Sequence, residues 1–284
     1  MKIQSSLTKD IRYPGGDHAV LLLHGLSSTP QEMSYIARRL SQNGFSVLAP
    51  YIKGYGLGSP CTSWQEWLVE VRLRYAQLSA THRTVSVAGL CIGATLGLAL
   101  AAEEPSVAAL SLLSVTLFYD GWTIPWYHGL LNLAYRTPIR HFYSFSEKPP
   151  YGLKNEALRE KVFKSMHQKG NSTIGSATLS MHHIFQAQAL AQHVKARLPD
   201  VKTNCLLIHA IDDDTSTTAN AEFVLAHIGS PVSRKILLDD CYHIITMDNE
   251  RELVARETQW FFEEALSGEN TQTRRRDKTA RKHR

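Results

Sequence analysis

Short apolar runs separated by helix-length segments constrain this chain more than any other feature. Residues 19–23 (AVLLL), 45–49 (FSVLA), 84–88 (TVSVA) and 108–115 (AALSLLSV) are continuous runs of apolar or small residues. Such runs mark strands covered on both faces, as in a parallel sheet. Helix patterns lie between them. Pro30 opens one that runs to about Leu40, with Gly44 just past its end, the usual placing of proline early and glycine late. Ser63 and Glu66 have capping-box spacing for a helix through about Leu78. Residues 92–102 read as a helix of small residues. The alternation predicts an α/β fold, a mostly parallel central sheet flanked by helices.

The pattern breaks over residues 117–199, which hold aromatics, prolines and helical patches but no clear strand. It resumes with strands at 204–209 (NCLLIH) and 234–238, a helix near 217–227 and a last helix from Asn249 to Leu266. The expected organisation is therefore a core of 1–116 and 200–266, a helical lid or cap insertion at 117–199, and a tail at 267–284. That tail starts at Ser267-Gly268 and becomes polar and basic, so it reads as disordered.

The net charge of +5 belongs to the tail. Residues 270–284 carry seven Lys/Arg against Asp277 alone, which leaves 24 basic and 25 acidic residues in the body. A folded body without a basic excess is not that of a nucleic-acid binder. The cysteines (Cys61, Cys91, Cys205, Cys241) are far apart and match no zinc spacing, and no disulfide framework is indicated. Adjacent histidines such as His182 and His183 diverge by roughly 100° on a helix, so they are read as surface or lid residues. His209 reads as a satisfied polar residue near the site. No metal or cofactor is implied. The polar N-terminus lacks a signal-peptide core, and no apolar run has membrane-span length, so the expected location is the cytoplasm.

The third strand runs into Gly89-Leu90-Cys91-Ile92-Gly93 and then a helix. This is the shape of a nucleophile elbow, G-x-S-x-G, with cysteine in the serine position. The tight strand-to-helix turn leaves no room for a Cβ two residues before or after the nucleophile. The helix N-terminus also favours thiolate over thiol. Strand 204–209 is followed by Asp212-Asp213-Asp214 and strand 234–238 by Asp239 through His243. Both lie at carboxyl ends of strands, where open α/β sheets place their sites. His243 is the expected general base and Asp213 its orienting acid, with Asp212 and Asp214 as rivals one residue away.

The segments LLLHGLSSTP (21–30), PYIKGYG (50–56), VAGLCIG (87–93), AIDDDTST (210–217) and CYHIITMD (241–248) resemble those of compact bacterial carboxylesterases and monoacylglycerol lipases of the α/β-hydrolase superfamily. The likeness covers roughly 18–116 and 200–266. It implies an α/β-hydrolase fold and a Cys91–His243–Asp213 triad. His24-Gly25-Leu26 resembles the oxyanion loop, which would place the oxyanion donors at the Leu26 and Ile92 backbone N–H groups. The family inserts its lid after the fourth strand, so Phe118, Trp122 and Trp126 are candidate acyl-binding residues, with core packing an equal alternative. Cysteine shifts the expected substrates towards thioesters and acyl transfer. The expected function is a hydrolase of carboxylic esters or thioesters. An acyltransferase using a CoA or acyl-carrier-protein thioester is the alternative, and a non-catalytic binding protein on a hydrolase scaffold is a third.

Overall fold

The computed structural model describes residues 8–124, 137–172 and 175–282, with 268–282 described by backbone only. The strands are β1 (Ile11–Tyr13), β2 (His18–Leu23), β3 (Ser46–Ala49), β4 (Thr84–Leu90), β5 (Val107–Leu113), β6 (Ser144–Ser146), β7 (Asn171–Ser172), β8 (Gly175–Ser176), β9 (Thr178–Ser180), β10 (Cys205–Ala210) and β11 (Ser233–Leu238). The α-helices are α1 (Ser34–Gln42), α2 (Trp64–Ser79), α3 (Ile92–Glu103), α4 (Glu156–Lys169), α5 (Met181–Arg197), α6 (Ala219–His227) and α7 (Arg251–Lys282).

Seven strands form the central sheet in the order β1-β3-β2-β4-β5-β10-β11. All pairings are parallel except that of β1, which runs antiparallel to β3. β1 pairs three residues only, too few to register as an alternating pattern in the sequence. The central strands are buried along nearly their whole length, as their unbroken apolar runs require. β11 is different. It is an edge strand, largely exposed, and its charges are paired: Arg234 forks onto Glu264 at 2.6 Å through both nitrogens, and Lys235 reaches Glu222 at 2.9 Å. Charged side chains on an edge discourage pairing with another sheet.

Ser63 caps α2, and Glu66 turns back to its hydroxyl instead of its backbone N–H. Ser63 Oγ accepts from Glu66 N at 3.4 Å and donates to Glu66 Oε1 at 2.8 Å. Helix α3 is buried on all sides up to Ala101. One side lies on β4 and β5, and the other is covered by α2 and α5. Ala187, Leu190, Ala191 and Val194 of α5 are part of the main apolar core. Burying Leu190 and Val194 contributes on the order of 1.5–3 kcal/mol each.

Within the 117–199 segment the last helix, α5, packs on the body, where it covers the apolar outer face of α3. The insertion is also not purely helical. It contains two small antiparallel pairs, β6 with β9 and β7 with β8, whose strands are too short to show periodicity. At the C-terminal end, α7 runs in helical backbone to Lys282. Its Glu, Gln, Arg, Lys and Ala are strong helix formers even without an apolar face. Among the described residues, no helix is long and apolar enough to cross a membrane.

Candidate active site

Cys91 sits between β4 and α3 at φ 57°, ψ −119°. For a residue with a Cβ this is a strained conformation, costing about 1–3 kcal/mol. The turn is held by Cys91 N donating to Leu113 O at 2.9 Å and by Ala94 N donating to Cys91 O at 3.0 Å. Its flanking glycines are obligatory. A Cβ on Gly89 would lie 2.3 Å from the Gly93 carbonyl, and one on Gly93 would lie 2.3 Å from Leu23 O. Gly93→Ala is therefore expected to destabilise the fold by about 3 kcal/mol, because backbone and not a side chain would have to move. Urea unfolding would measure it, with Gly44→Ala, open around its Cβ position but strained by its φ of +84°, as a comparison for backbone strain without collision.

His243 lies on the loop after β11, buried, with Nδ1 at 2.8 and 3.0 Å from the two carboxylate oxygens of Asp213. Asp213 Oδ1 also accepts from Thr215 N at 2.9 Å and Ser216 N at 2.8 Å, which fixes the carboxylate at the end of β10. Its neighbours point elsewhere. Asp212 is exposed and ion-paired to Lys154 at 3.1 Å, and Asp214 accepts from Gly152 N at 3.1 Å. Of the three aspartates, Asp213 takes the imidazole.

The His243 and Cys91 side chains act on each other through charge and a hydrogen bond, although among the described residues His243 Nε2 has no partner at standard hydrogen-bond geometry. Poor alignment is common before substrate is bound. Burial pushes the Cys91 thiol up. The His243 charge and hydrogen bond, the Thr116 hydroxyl and the Ile92 N–H outweigh it, so the thiol lies below its ordinary range. Burial likewise pulls His243 down, but the charges of Asp213 and Cys91 hold it well above the usual imidazole value. Asp213, raised by burial, is brought below the ordinary carboxylate range chiefly by His243. These directions favour thiolate at Cys91 and imidazolium at His243, two coupled groups braced by a carboxylate.

Gly25 and Leu26 follow β2 and face the elbow. His24 holds this loop: its Nε2 accepts from Ile52 N at 3.2 Å, so Nδ1 carries the proton and donates to Gly25 O at 2.9 Å. Burial lowers this imidazole to about 4, which keeps it neutral. Ser27 N donates to Tyr55 O at 2.8 Å, and Tyr55 Oη donates to His24 O at 3.0 Å. Leu26 is thus fixed between two anchored neighbours, as Ile92 is fixed in the first turn of α3.

Residues 16–250 match the family described as Serine aminopeptidase, S33. The chain belongs to this family. The chain is 24% identical over 250 residues to a thermostable monoacylglycerol lipase of Bacillus sp. (strain H-257), covering 87% of this chain and 91% of that one. It is 23% identical over 259 residues to a carboxylesterase of Bacillus subtilis (strain 168), covering 90% and 96%. The crystal structure of Paleococcus ferrophilus monoacylglycerol lipase superposes with a TM-score of 0.74 at 15% identity, covering 89% of this chain and 98% of that one. That likeness shows the α/β-hydrolase fold, and the family makes this chain an α/β-hydrolase-type enzyme.

Within this serine aminopeptidase framework several groups near the triad had no sequence signal. Thr116 Oγ1 lies 3.5 Å from Cys91 Sγ, within reach of Ser216 Oγ at 3.2 Å and Ser114 O at 3.1 Å. His209 is bound more closely to the site than expected: its Nε2 donates to Ser216 O at 2.7 Å and lies 3.4 Å from Asp213 Oδ2. Asp248 accepts from Lys154 N, Asn155 N and Tyr242 N at 2.7–2.9 Å, tying the start of the cap segment to the His243 loop. His183, expected on a surface or lid, is buried, and its Nε2 donates to Gly54 O at 3.1 Å.

The candidate lid aromatics separate. Phe118 is committed to packing, edge-on to Phe223 at 5.2 Å with Lys195 Nζ 4.3 Å over its ring. These contacts with α6 and α5 fit the packing alternative given for this residue. Trp122 is 61% exposed, donates to Asp212 O at 3.3 Å and stands edge-on to Tyr242 at 5.7 Å. It therefore lies on the rim joining the acid loop to the histidine loop. Trp126 lies outside the described residues.

Proposed function

We propose that this protein hydrolyses carboxylic esters, thioesters included, through a covalent acyl intermediate on Cys91. The observation that carries the reading is Asp213 bonded to His243 Nδ1, with the same His243 lowering the pKa of the Cys91 thiol. The names of the two Bacillus relatives, a monoacylglycerol lipase and a carboxylesterase, support ester substrates.

The thiolate of Cys91 adds to the acyl carbon, and the carbonyl oxygen takes the displaced electron pair as an oxyanion. In this reading the Leu26 and Ile92 N–H groups receive that charge. Collapse expels the alkoxide or thiolate, which takes the proton from His243 Nε2. Once sulfur is acylated its negative charge is gone, so one of the forces holding His243 protonated disappears. Neutral His243 then removes a proton from water, which attacks the thioester and releases the carboxylic acid and the Cys91 thiolate–imidazolium pair.

A second reading follows from the sulfur itself. A thioester intermediate is attacked by amines more readily than an oxygen ester is, which favours acyl transfer from a CoA or carrier-protein thioester to an amine or alcohol. One experiment separates the two. Intact-mass measurement after mixing with p-nitrophenyl esters and acyl-CoA thioesters should show an acyl adduct at Cys91. A panel of primary amines should leave its decay unchanged if water is the acceptor. Acceleration by an amine, with amide product, would replace hydrolysis by transfer. No adduct on Cys91 from any donor would sink both readings.

A further inference from the structure

We infer that Glu32 is a positioning residue for the oxyanion loop, acting as an uncharged acid, and that its ionisation turns acylation off. The inference rests on Cys91 being the nucleophile and on the Gly25-Leu26 loop receiving the oxyanion.

Glu32 lies in the short 3-10 turn Pro30–Met33 and is only 2% exposed. Its Oε1 accepts from Gly25 N at 2.9 Å. A Cβ built on Gly25 would lie 2.9 Å from that oxygen and 3.6 Å from Cys91 Cβ. The carboxyl group and the nucleophile therefore flank the same peptide. A buried acid of this kind normally has a cationic partner. The charged or titratable groups that act on Glu32 are instead Cys91 from the elbow, His243 from the loop after β11, and the Tyr55 phenol from the loop after β3. Cys91 opposes its ionisation and His243 favours it. Burial, the largest influence, raises the carboxyl to about 8.

The geometry gives the neutral and charged forms opposite effects. As an acid, Glu32 offers a carbonyl oxygen to Gly25 N and fixes the loop without adding charge. As a carboxylate, it makes the same hydrogen bond but sets a negative charge in a dry site beside the thiolate and the developing oxyanion. Both would be destabilised in a region of low effective dielectric. Glutamine preserves the acceptor and stays neutral, whereas alanine leaves Gly25 N without it.

The test is the rate of acylation at Cys91, read by intact mass with p-nitrophenyl acetate, as a function of pH for wild type, Glu32→Gln and Glu32→Ala. An ionised Glu32 would hold His243 protonated to higher pH, so its removal acts on His243 in the direction opposite to the upward shift expected here, and an upward shift in Glu32→Gln belongs to Glu32. In wild type the rate should fall about tenfold or more from pH 7.5 to 9.5. In Glu32→Gln the neutral-pH rate should stay within about threefold of wild type, with the alkaline midpoint moved up by about one pH unit or more. Glu32→Ala should be slower by about tenfold at every pH. An unchanged alkaline midpoint in Glu32→Gln overturns the inference while leaving Cys91 in place. So does a neutral-pH loss in Glu32→Gln as large as that of Glu32→Ala. If wild type forms no adduct at Cys91 at any pH, the nucleophile assignment falls and this inference falls with it.

Discussion

Cys91→Ala is expected to lower kcat/KM on an activated ester by at least about ten-thousand-fold, because it removes the only atom that bonds to the acyl carbon. Stability should change by no more than about 1 kcal/mol, since alanine keeps the Cβ and the elbow backbone. Steady-state kinetics with parallel urea unfolding would separate the two effects. Residual turnover within about tenfold of wild type would show that the acyl group is carried elsewhere. Cys91→Ser adds a sharper readout. A serine hydroxyl is neutral in the free enzyme, so it cannot help hold His243 protonated as the Cys91 charge does. The histidine should therefore titrate lower in the serine variant. The rate profile should become that of a neutral base gaining activity as pH rises through this lowered value. An unchanged profile would mean that thiolate and imidazolium are not coupled.

Asp213→Asn should be nearly as damaging, with kcat down by about ten-thousand-fold. The asparagine amide can direct an N–H at His243 Nδ1, which favours the tautomer with its proton facing Cys91 and removes the charge that stabilises imidazolium. The two neighbours serve as internal controls. Asp212 is exposed and pairs with Lys154, so Asp212→Asn should change kcat less than about twofold. Asp214 is buried but accepts a single backbone N–H from Gly152, a bond asparagine can also accept. Its substitution should act on the cap segment before it acts on the chemistry. Equal losses in Asp212→Asn and Asp213→Asn, measured on one substrate with circular dichroism to establish folding, would remove the assignment.

The strands that build the central sheet were legible because each is an apolar run whose length and flanks leave little choice. The elbow was legible because two glycines must sit at fixed offsets from its central residue. The aspartate was less so. Three consecutive carboxylates satisfy the same spacing, and what separates them is which side chain the turn at Thr215 and Ser216 directs inwards. Helix α5 shows a different limit. Its residues are polar enough on one side to pass for a surface insertion, and its membership of the core follows from the exposed back of α3, roughly ninety residues earlier in the chain. Phe118 could be read as lid or as packing for the same reason: an aromatic residue carries no mark of which neighbour it will meet.

The sequence by itself determined the α/β architecture, the order nucleophile, acid, base along the chain, and the choice of sulfur at the elbow. These depend on local pattern and on spacing, both of which survive in one dimension. Tertiary structure alone decided the charge state of the site. Whether Cys91 is thiolate, His243 imidazolium or Glu32 neutral depends on burial and on charges from β2, β4, β10 and β11 meeting in one place. Such energies come from distances in space and the loss of water, neither of which the order of residues records.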